Sequence, residues 1–209
     1  MKATQVMSFD DGPRSKRRAI LDAAVQSFGE VGYEATKWSS VADVVGIGQT
    51  ALYHYFESKA HCLLTIMRVE LERSHERFLE ATADASDSIG ELRLATAAAF
   101  SVTSAEIKQL RILQSNFSIL ANERSSAAEE AERQGCRAMM HQVEEDWTAL
   151  LQRGVDRGEF RPQDTRLSAQ VLLGTIVSVW RWYRPEGSVS LDDLSAFVSD
   201  GLTRMLVTD

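Results

Sequence analysis

Residues Gln49 to His54 place small polar side chains beside aromatic and imidazole rings, a combination that suits contact with a nucleic acid. The amide of Gln49 can form two hydrogen bonds with adenine, and a methyl group at Thr50 or Ala51 can touch the methyl group of thymine. The polar tips of Tyr53 and His54 suit phosphate oxygens, which position a protein without reading sequence. Packing alone is an equally good explanation of Ala51.

This chemistry requires a short helix whose leading edge stands clear of its own core. The sequence predicts such a helix over 49–55, preceded by a helix over 39–45 and by the turn Gly46-Ile47-Gly48. A helix-turn-helix protein inserts the first residues of its second helix into the major groove. Phe56, and to a lesser extent Tyr55, is expected to anchor this helix in a small core.

Further candidate contacts lie where the preceding helix begins. Thr36 and Lys37 stand at its start, where free amides and the helix dipole attract phosphate, and Thr36 or a nearby serine is expected to cap it. Trp38 could contribute here or could instead cover the core. The run from Arg14 to Arg18 is the most basic stretch and could supply phosphate contacts, although a solvated helix start explains it equally well.

Apolar residues recur at helical spacing along the chain, and we find no β-alternation. Ile20, Ala24, Phe28 and Val31 form the first stripe, at intervals of four, four and three residues. The pattern predicts an all-α fold of about nine helices, over residues ~15–31, 39–45, 49–55, 59–83, 89–104, 106–121, ~127–157, 165–184 and 191–206.

Composition supports a helical protein without a membrane or catalytic role. Only three of the 209 residues are proline, and 44% are apolar. The longest nearly uncharged stretch, 167–180, is too short to span a bilayer, and the first residues lack the apolar region of a secretory signal. Two cysteines without metal-ligand spacing indicate a reducing cytoplasm and no metal site. We find no catalytic or nucleotide-binding motif and expect neither enzymatic activity nor a cofactor.

The net charge of −7 is unevenly distributed. Residues 1–60 carry seven basic and seven acidic side chains, so the whole excess of negative charge falls in the remaining 149 residues. The acidic balance of the chain therefore does not exclude DNA binding by its N-terminal part.

Over residues 17–67 the sequence resembles the TetR family of transcriptional regulators. The resemblance rests on A-I-L-D-A-A-V-Q-S-F-G-E-V-G-Y-E-A-T at 19–36 and V-A-D-V-V-G-I-G-Q-T-A-L-Y-H-Y-F-E-S-K-A at 41–60. It implies an all-helical homodimer that binds a palindromic operator and releases it when a small effector binds. It also implies that Lys59 contacts phosphate. The chain departs from the family at Gly48, where serine is usual, and at Thr50, where glycine is frequent, but glycine at a helix cap costs only a few tenths of a kcal/mol.

The resemblance also divides the chain and implies its partners. We expect a flexible tail over 1–12, a helix-turn-helix DNA-binding domain over 13–60, and an effector-binding and dimerisation domain over 61–209. Residues 172–187 are similar to a subgroup that responds to acyl-CoA thioesters. The expected DNA contacts are Thr36, Lys37, Gln49, Thr50, Ala51, Tyr53, His54 and Lys59.

Residues of the larger domain are harder to assign, because pockets for apolar ligands look like core in a sequence. The candidates for the effector pocket are Phe100, Leu113, Gln114, Phe117, Met139, Met140 and Trp147, and each could instead be core. The family implies a dimer interface built from the last two helices. Its candidates are Val179, Trp180, Tyr183, Phe197 and Leu202, again with core packing as the alternative.

Together these features predict a cytoplasmic, homodimeric repressor of the TetR type that binds double-stranded DNA and responds to an apolar or acyl-CoA-like effector. The alternative is a helical small-molecule sensor or carrier that acts through protein partners without binding DNA. The two differ in whether the edge formed by residues 49–54 is free.

Overall fold

The computed structural model describes residues 13–207, so the predicted flexible tail at 1–12 lies outside the described residues. The described part is all-helical, as predicted, with nine α-helices and one short 3-10 helix. The α-helices are α1 Pro13–Val31, α2 Trp38–Val45, α3 Gln49–Tyr55, α4 Lys59–Thr82, α5 Ser88–Phe100, α6 Ser104–Ser115, α7 Ala127–Asp156, α8 Thr165–Trp182 and α9 Leu191–Leu206, and the 3-10 helix is Phe117–Leu120.

The helices in the middle of the chain are shorter than predicted. The predicted helix 106–121 divides after Ser115, because the side-chain amide of Asn116 donates a hydrogen bond to the carbonyl of Ile112 and the chain leaves α-helical geometry there. The helix predicted to end at 104 ends at Phe100. Thr103 and Glu106 then cap each other's backbone and begin α6.

The first core lies between α1, α2, α3 and the first half of α4. Its largest fully buried side chains include Phe56, Ile20, Leu52 and Leu63. The predicted stripe of α1 is correct for its first three residues and wrong for Val31, which is 59% exposed. Val31 is the last residue of the helix, and the chain turns away at Gly32 before this side chain can reach the core.

The second core fills the space between α5, α7, α8 and α9. Trp147 and Leu150 of α7 pack with Leu172 and Ile176 of α8. After α7 the chain turns back at Gly158, which has a φ of +73°, and the ring of Phe160 lies against the backbone of α7.

α4 belongs to both halves of the molecule. Its first turns contribute to the small N-terminal core, whereas its later turns pack on α5 and α7. α4 therefore connects the N-terminal helices directly to the larger body. Between Pro13 and Val207 no helix combines the length and the apolar character needed to cross a membrane.

Candidate nucleic-acid interface and ligand cavity

The backbone around α3 presents its first residues to solvent. Gly46 adopts a φ of +71°, a left-handed conformation that glycine tolerates best, and ends α2. Gly48 then caps α3 in an extended conformation. Leu52 and Phe56 are fully buried and hold α3 against the small core.

The predicted base-contacting and phosphate-contacting residues of α3 share its outer face. Gln49, Thr50, Tyr53 and His54 are exposed, and Ala51 is half-buried. Tyr53 is 50% exposed even though its side chain is a large aromatic ring. This face has the position and the side chains that a recognition helix requires.

The start of α2 differs from the prediction. Thr36 is buried, and its hydroxyl donates to the carbonyls of Gly32 (2.7 Å) and Ser27 (3.2 Å). The expected cap is therefore wrong: Lys37 occupies the N-cap position without a side-chain hydrogen bond, and Ser40 donates back to the carbonyl of Lys37. The hydroxyl of Thr36 faces its own chain, so we omit its side chain from the candidate DNA contacts and retain exposed Lys37.

Two aromatic contacts complete this small core. Trp38 is buried, and its ring lies 6.4 Å from that of Phe56, in agreement with the alternative in which it covers the core. The guanidinium of Arg17 lies 4.7 Å from the centre of the Phe56 ring. Within the basic run, Arg14 and Arg18 are exposed and available to phosphate. Arg17 instead helps to hold α1 against the pair of helices α2 and α3, which we call the recognition unit.

Lys59 does not project toward a DNA surface. Its Nζ donates to the carbonyls of Tyr33 (2.6 Å), Glu34 (3.1 Å) and Thr36 (3.2 Å), and it lies 4.4 Å from the centre of the Tyr33 ring. All three protons of the ammonium group thus have acceptors within the chain. The geometry favours a clamp that ties the start of α4 to the α1–α2 loop over the phosphate contact implied by the family resemblance.

A second link joins the recognition unit to the larger body. The hydroxyl of Ser58 caps α4 through the amide of His61 and donates to Glu129 of α7 at 2.5 Å. Arg124 donates to the other oxygen of the same carboxylate at 2.7 Å. Burial raises the pKa of Glu129, but these hydrogen bonds outweigh burial and leave the pKa below its ordinary value. The carboxylate therefore connects the first turn of α4 to that of α7.

A cavity of about 530 Å³ opens between α4, α5, α6, α7 and α8. Five of the seven predicted pocket residues line it: Leu113, Gln114, Phe117, Met140 and Trp147. The two others do not. Phe100 packs in the second core, 5.6 Å from the ring of Trp180, and Met139, half-buried on α7, is not part of the wall.

Much of the cavity wall was not predicted. α4 contributes Met67, Glu70, Leu71, Ser74, Arg77 and Phe78. The apolar members of this set form an ordinary amphipathic stripe, so nothing in the sequence distinguishes a wall from a packed core. Glu70 within that stripe was the one residue that could have indicated a cavity wall, since a carboxylate on a buried helix face needs a partner or a ligand.

One polar cluster lies in the otherwise mainly apolar inner wall. Glu70 is 3% exposed and accepts hydrogen bonds from Arg77 at 3.0 Å and Gln109 at 2.9 Å. Burial raises the pKa of Glu70, and the neighbouring guanidinium opposes that shift. Two polar side chains of α6 and its C-terminal end are used within the chain: Arg111 donates to the carbonyl of Tyr183, and Asn116 donates to the carbonyl of Ile112 where α6 ends.

The predicted dimer residues divide sharply by exposure. Val179, Trp180, Tyr183 and Leu202 are buried within their own chain, so their prediction as interface residues is corrected: they leave almost no surface for a partner, and Trp180 lines the cavity. Phe197 is 77% exposed.

Further exposed apolar residues lie on the last two helices. Leu167, Val171 and Trp182 lie along the outer face of α8, and Met205 lies two turns beyond Phe197 on α9. We call the exposed apolar residues of these two helices, Leu167, Val171, Trp182, Phe197 and Met205, the α8–α9 face. An apolar face of this kind is typical of an interface between copies of a chain.

Cysteine and histidine chemistry is inconspicuous in the described part of the chain. Cys62 and Cys136 are free and buried, and burial raises both thiol pKa values, that of Cys136 to about 12. His75 pairs with Asp146 at 2.6 Å across α4 and α7. Among residues 13–207 no group of three or more metal-ligating side chains comes together.

Comparison with known proteins identifies the architecture. The family described as "Bacterial regulatory proteins, tetR family" matches residues 20–66, and "Tetracyclin repressor-like, C-terminal domain" matches residues 86–206. The HTH-type transcriptional repressor KstR2 of Rhodococcus jostii is 31% identical over 197 residues, which cover 91% of this chain and 93% of that protein.

Two solved structures share the fold. The ketosteroid transcriptional regulator KstR2 of Mycobacterium tuberculosis superimposes with a TM-score of 0.76 at 24% identity, covering 99% of both chains. AibR in complex with isovaleryl coenzyme A and operator DNA gives a TM-score of 0.73 at 22% identity, covering 92% of this chain and 98% of that one. The family matches, the relative at 31% identity and the exposed edge of α3 lead to one conclusion: the chain belongs to the TetR family and is a ligand-responsive, DNA-binding transcriptional regulator.

Proposed function

We propose that this regulator is a homodimeric repressor whose affinity for a palindromic operator falls when an acyl-CoA thioester enters the cavity. The observation that carries the proposal is the double role of α4. The same helix forms one wall of the cavity through Met67, Glu70 and Phe78, and its first turn is held to the recognition unit by Lys59. A ligand that displaces α4 must therefore displace α3.

The DNA contacts follow from exposure and chemistry. Gln49, Thr50 and Ala51 would meet base edges, and Lys37, Tyr53 and His54 would meet phosphates. Thr36 and Lys59 would hold the backbone that presents these groups. The free edge of α3 favours DNA binding over the alternative of a carrier that acts through protein partners.

The shape of the cavity supports a thioester as effector. Its volume lies within the range of ~300–1,000 Å³ that is usual for small-molecule sites, and its wall is mainly apolar. Exposed Arg137 and His141 lie on its rim, where they could meet the anionic groups of coenzyme A. The structure of AibR with isovaleryl coenzyme A, which shares this fold, supports the same class of ligand.

Dimerisation through the α8–α9 face would complete the repressor. Two copies would place their recognition helices about one DNA turn or more apart, ~34–36 Å per turn. The proposed role is regulatory and not enzymatic, and its place is the cytoplasm, where both operator DNA and thioesters are found.

Fluorescence anisotropy with labelled DNA from upstream of the protein's own gene tests this function. We expect salt-sensitive binding to a palindromic fragment and a loss of affinity of about 5- to 150-fold when decanoyl-CoA is added, the range of typical allosteric coupling. Free coenzyme A and a fragment of scrambled sequence are the controls. Equal affinity for the scrambled fragment, or an equal response to free coenzyme A, would exclude the proposed function.

A further inference from the structure

We propose that Gly174 of α8 holds open the mouth of the cavity, and that the arm joining coenzyme A to the acyl group passes over this residue. The inference rests on the proposed function, because it assumes that an acyl-CoA thioester is the ligand. It goes further by assigning the path of that ligand and a residue that decides whether a thioester is accepted.

The mouth of the cavity lies at the edge where α7 faces α8. The two helices form an antiparallel hairpin, and near its turn the side chain of Thr165 donates to that of Gln152 at 3.1 Å. Further from the turn, Gln170 of α8 donates to Glu144 of α7 at 2.8 Å. Both members of this second pair line the cavity, so the bridge between them marks one side of the opening.

One turn beyond this bridge the wall of the cavity is open to solvent. The antiparallel register brings Met140 and His141 of α7 opposite Gly174, and all three line the cavity. Gly174, His141 and, one turn back along α7, Arg137 are exposed. Because the phosphates of coenzyme A cannot be desolvated in a mainly apolar cavity, they must stay outside, beside Arg137 and His141. The arm that joins them to the acyl group then crosses the rim at Gly174.

A glycine in the interior of a helix needs a reason, because it destabilises the helix relative to alanine. Gly154 has such a reason within its own chain, since a Cβ there would clash with the ring of Phe160. Gly174 does not. Its φ is not positive, and a Cβ at this position would meet no atom of another helix within 4 Å among the described residues. The missing side chain therefore serves something outside the packing of the chain.

Gly201 of α9 provides the contrast. It is also exposed, and a Cβ there would also meet no other helix in the described part of the chain. It lies one turn from both Phe197 and Met205 and is not part of the cavity wall, so a second copy of the chain accounts for it. Gly174 lies one turn from Val171 of the same face, but it lines the cavity. The ligand is therefore the occupant that we assign to the space over Gly174.

A side chain at position 174 has opposite effects on the ligand and on the helix. It would project into the gap between α7 and α8 and narrow the passage for the thioester. It would also remove the conformational cost of a glycine from the middle of α8, which stabilises the helix. Weaker ligand binding together with equal or higher stability is a combination that damage to the fold does not produce.

Calorimetric titration with decanoyl-CoA, together with urea denaturation, tests the proposal on the full-length wild type, G174A and G174L. We expect G174L to weaken thioester binding by about 10-fold or more and G174A to weaken it less. The midpoint of urea unfolding should stay at or above that of the wild type in both variants. G201A is the matched control, because it makes the same substitution at an exposed helical glycine outside the cavity, and its affinity for the thioester should not change.

The outcomes separate this inference from the proposed function. If the wild type and G174L bound decanoyl-CoA with equal affinity, the inference would fall and the proposed function would stand; if G174L did not fold, G174A would decide by the same criterion. A monomeric G174L protein in light scattering would show that Gly174 serves the dimer and would also overturn the inference, as would an equal loss of affinity in G174A and G201A. If the wild type bound no decanoyl-CoA, the proposed function would fall and the inference with it.

Discussion

Replacing Phe197 with aspartate is expected to separate the two protomers and to lower operator affinity by about 100-fold or more, the scale on which avidity usually acts. The ring is 77% exposed in the single chain, on the same side of α9 as Gly201 and Met205. A carboxylate in an apolar contact between copies would be desolvated without a partner. The monomer would then offer one recognition helix to a site built for two.

Light scattering after size exclusion gives the mass of the particle, and anisotropy with operator DNA gives the affinity. L79D is the matched control, because Leu79 is also a large exposed apolar residue, with 48% of its surface exposed. It lies on α4 and is not part of the α8–α9 face. We expect L79D to remain a dimer. If the F197D protein remained dimeric and bound the operator with full affinity, the α8–α9 face would not be the dimer interface.

Replacing Lys59 with methionine is expected to reduce the free energy of unfolding by about 2 kcal/mol and to weaken operator binding without changing its dependence on salt. The reason is the clamp: three carbonyls of the α1–α2 loop lose their charged donor, and α2 and α3 lose their fixed position on α4. The measurements are urea denaturation and operator affinity at several salt concentrations.

The matched variant is K37M, at an exposed lysine that begins α2. Loss of a phosphate contact there should lower the slope of log affinity against log salt by about 1 and leave stability unchanged. If K59M instead lowered the slope and left the free energy of unfolding intact, Lys59 would be a phosphate contact and the clamp would be wrong.

The position of α3 was predictable because the residues that form the turns on either side of it are recognisable in the sequence. The bounds of α3, Gln49–Tyr55, match the prediction, since Gly46 and Gly48 fix its start and the residues after Phe56 fix its end. Thr36 and Lys59 were harder to interpret. Both are polar residues near a helix terminus, and only the path of the backbone decides whether their donors face DNA or the carbonyls of the α1–α2 loop.

The larger domain shows what apolar periodicity leaves undetermined. A stripe on a helix predicts that the face is covered, but not whether by core, by a cavity or by a second copy. Trp180 lines the cavity and Phe197 is exposed, although both are aromatic residues on the last two helices. The spacing that predicts a helix is the same in each case, so the distinction depends on how the helices pack.

The distance between the two recognition helices tests the central claim most directly. A spin label at E57C, an exposed position that follows α3, reports this separation by double electron–electron resonance, and the native cysteines are buried. We predict a narrow distance distribution on operator DNA and a displaced distribution when decanoyl-CoA is bound. Identical distributions in the operator-bound and thioester-saturated protein would contradict an account in which the cavity controls DNA binding through α4.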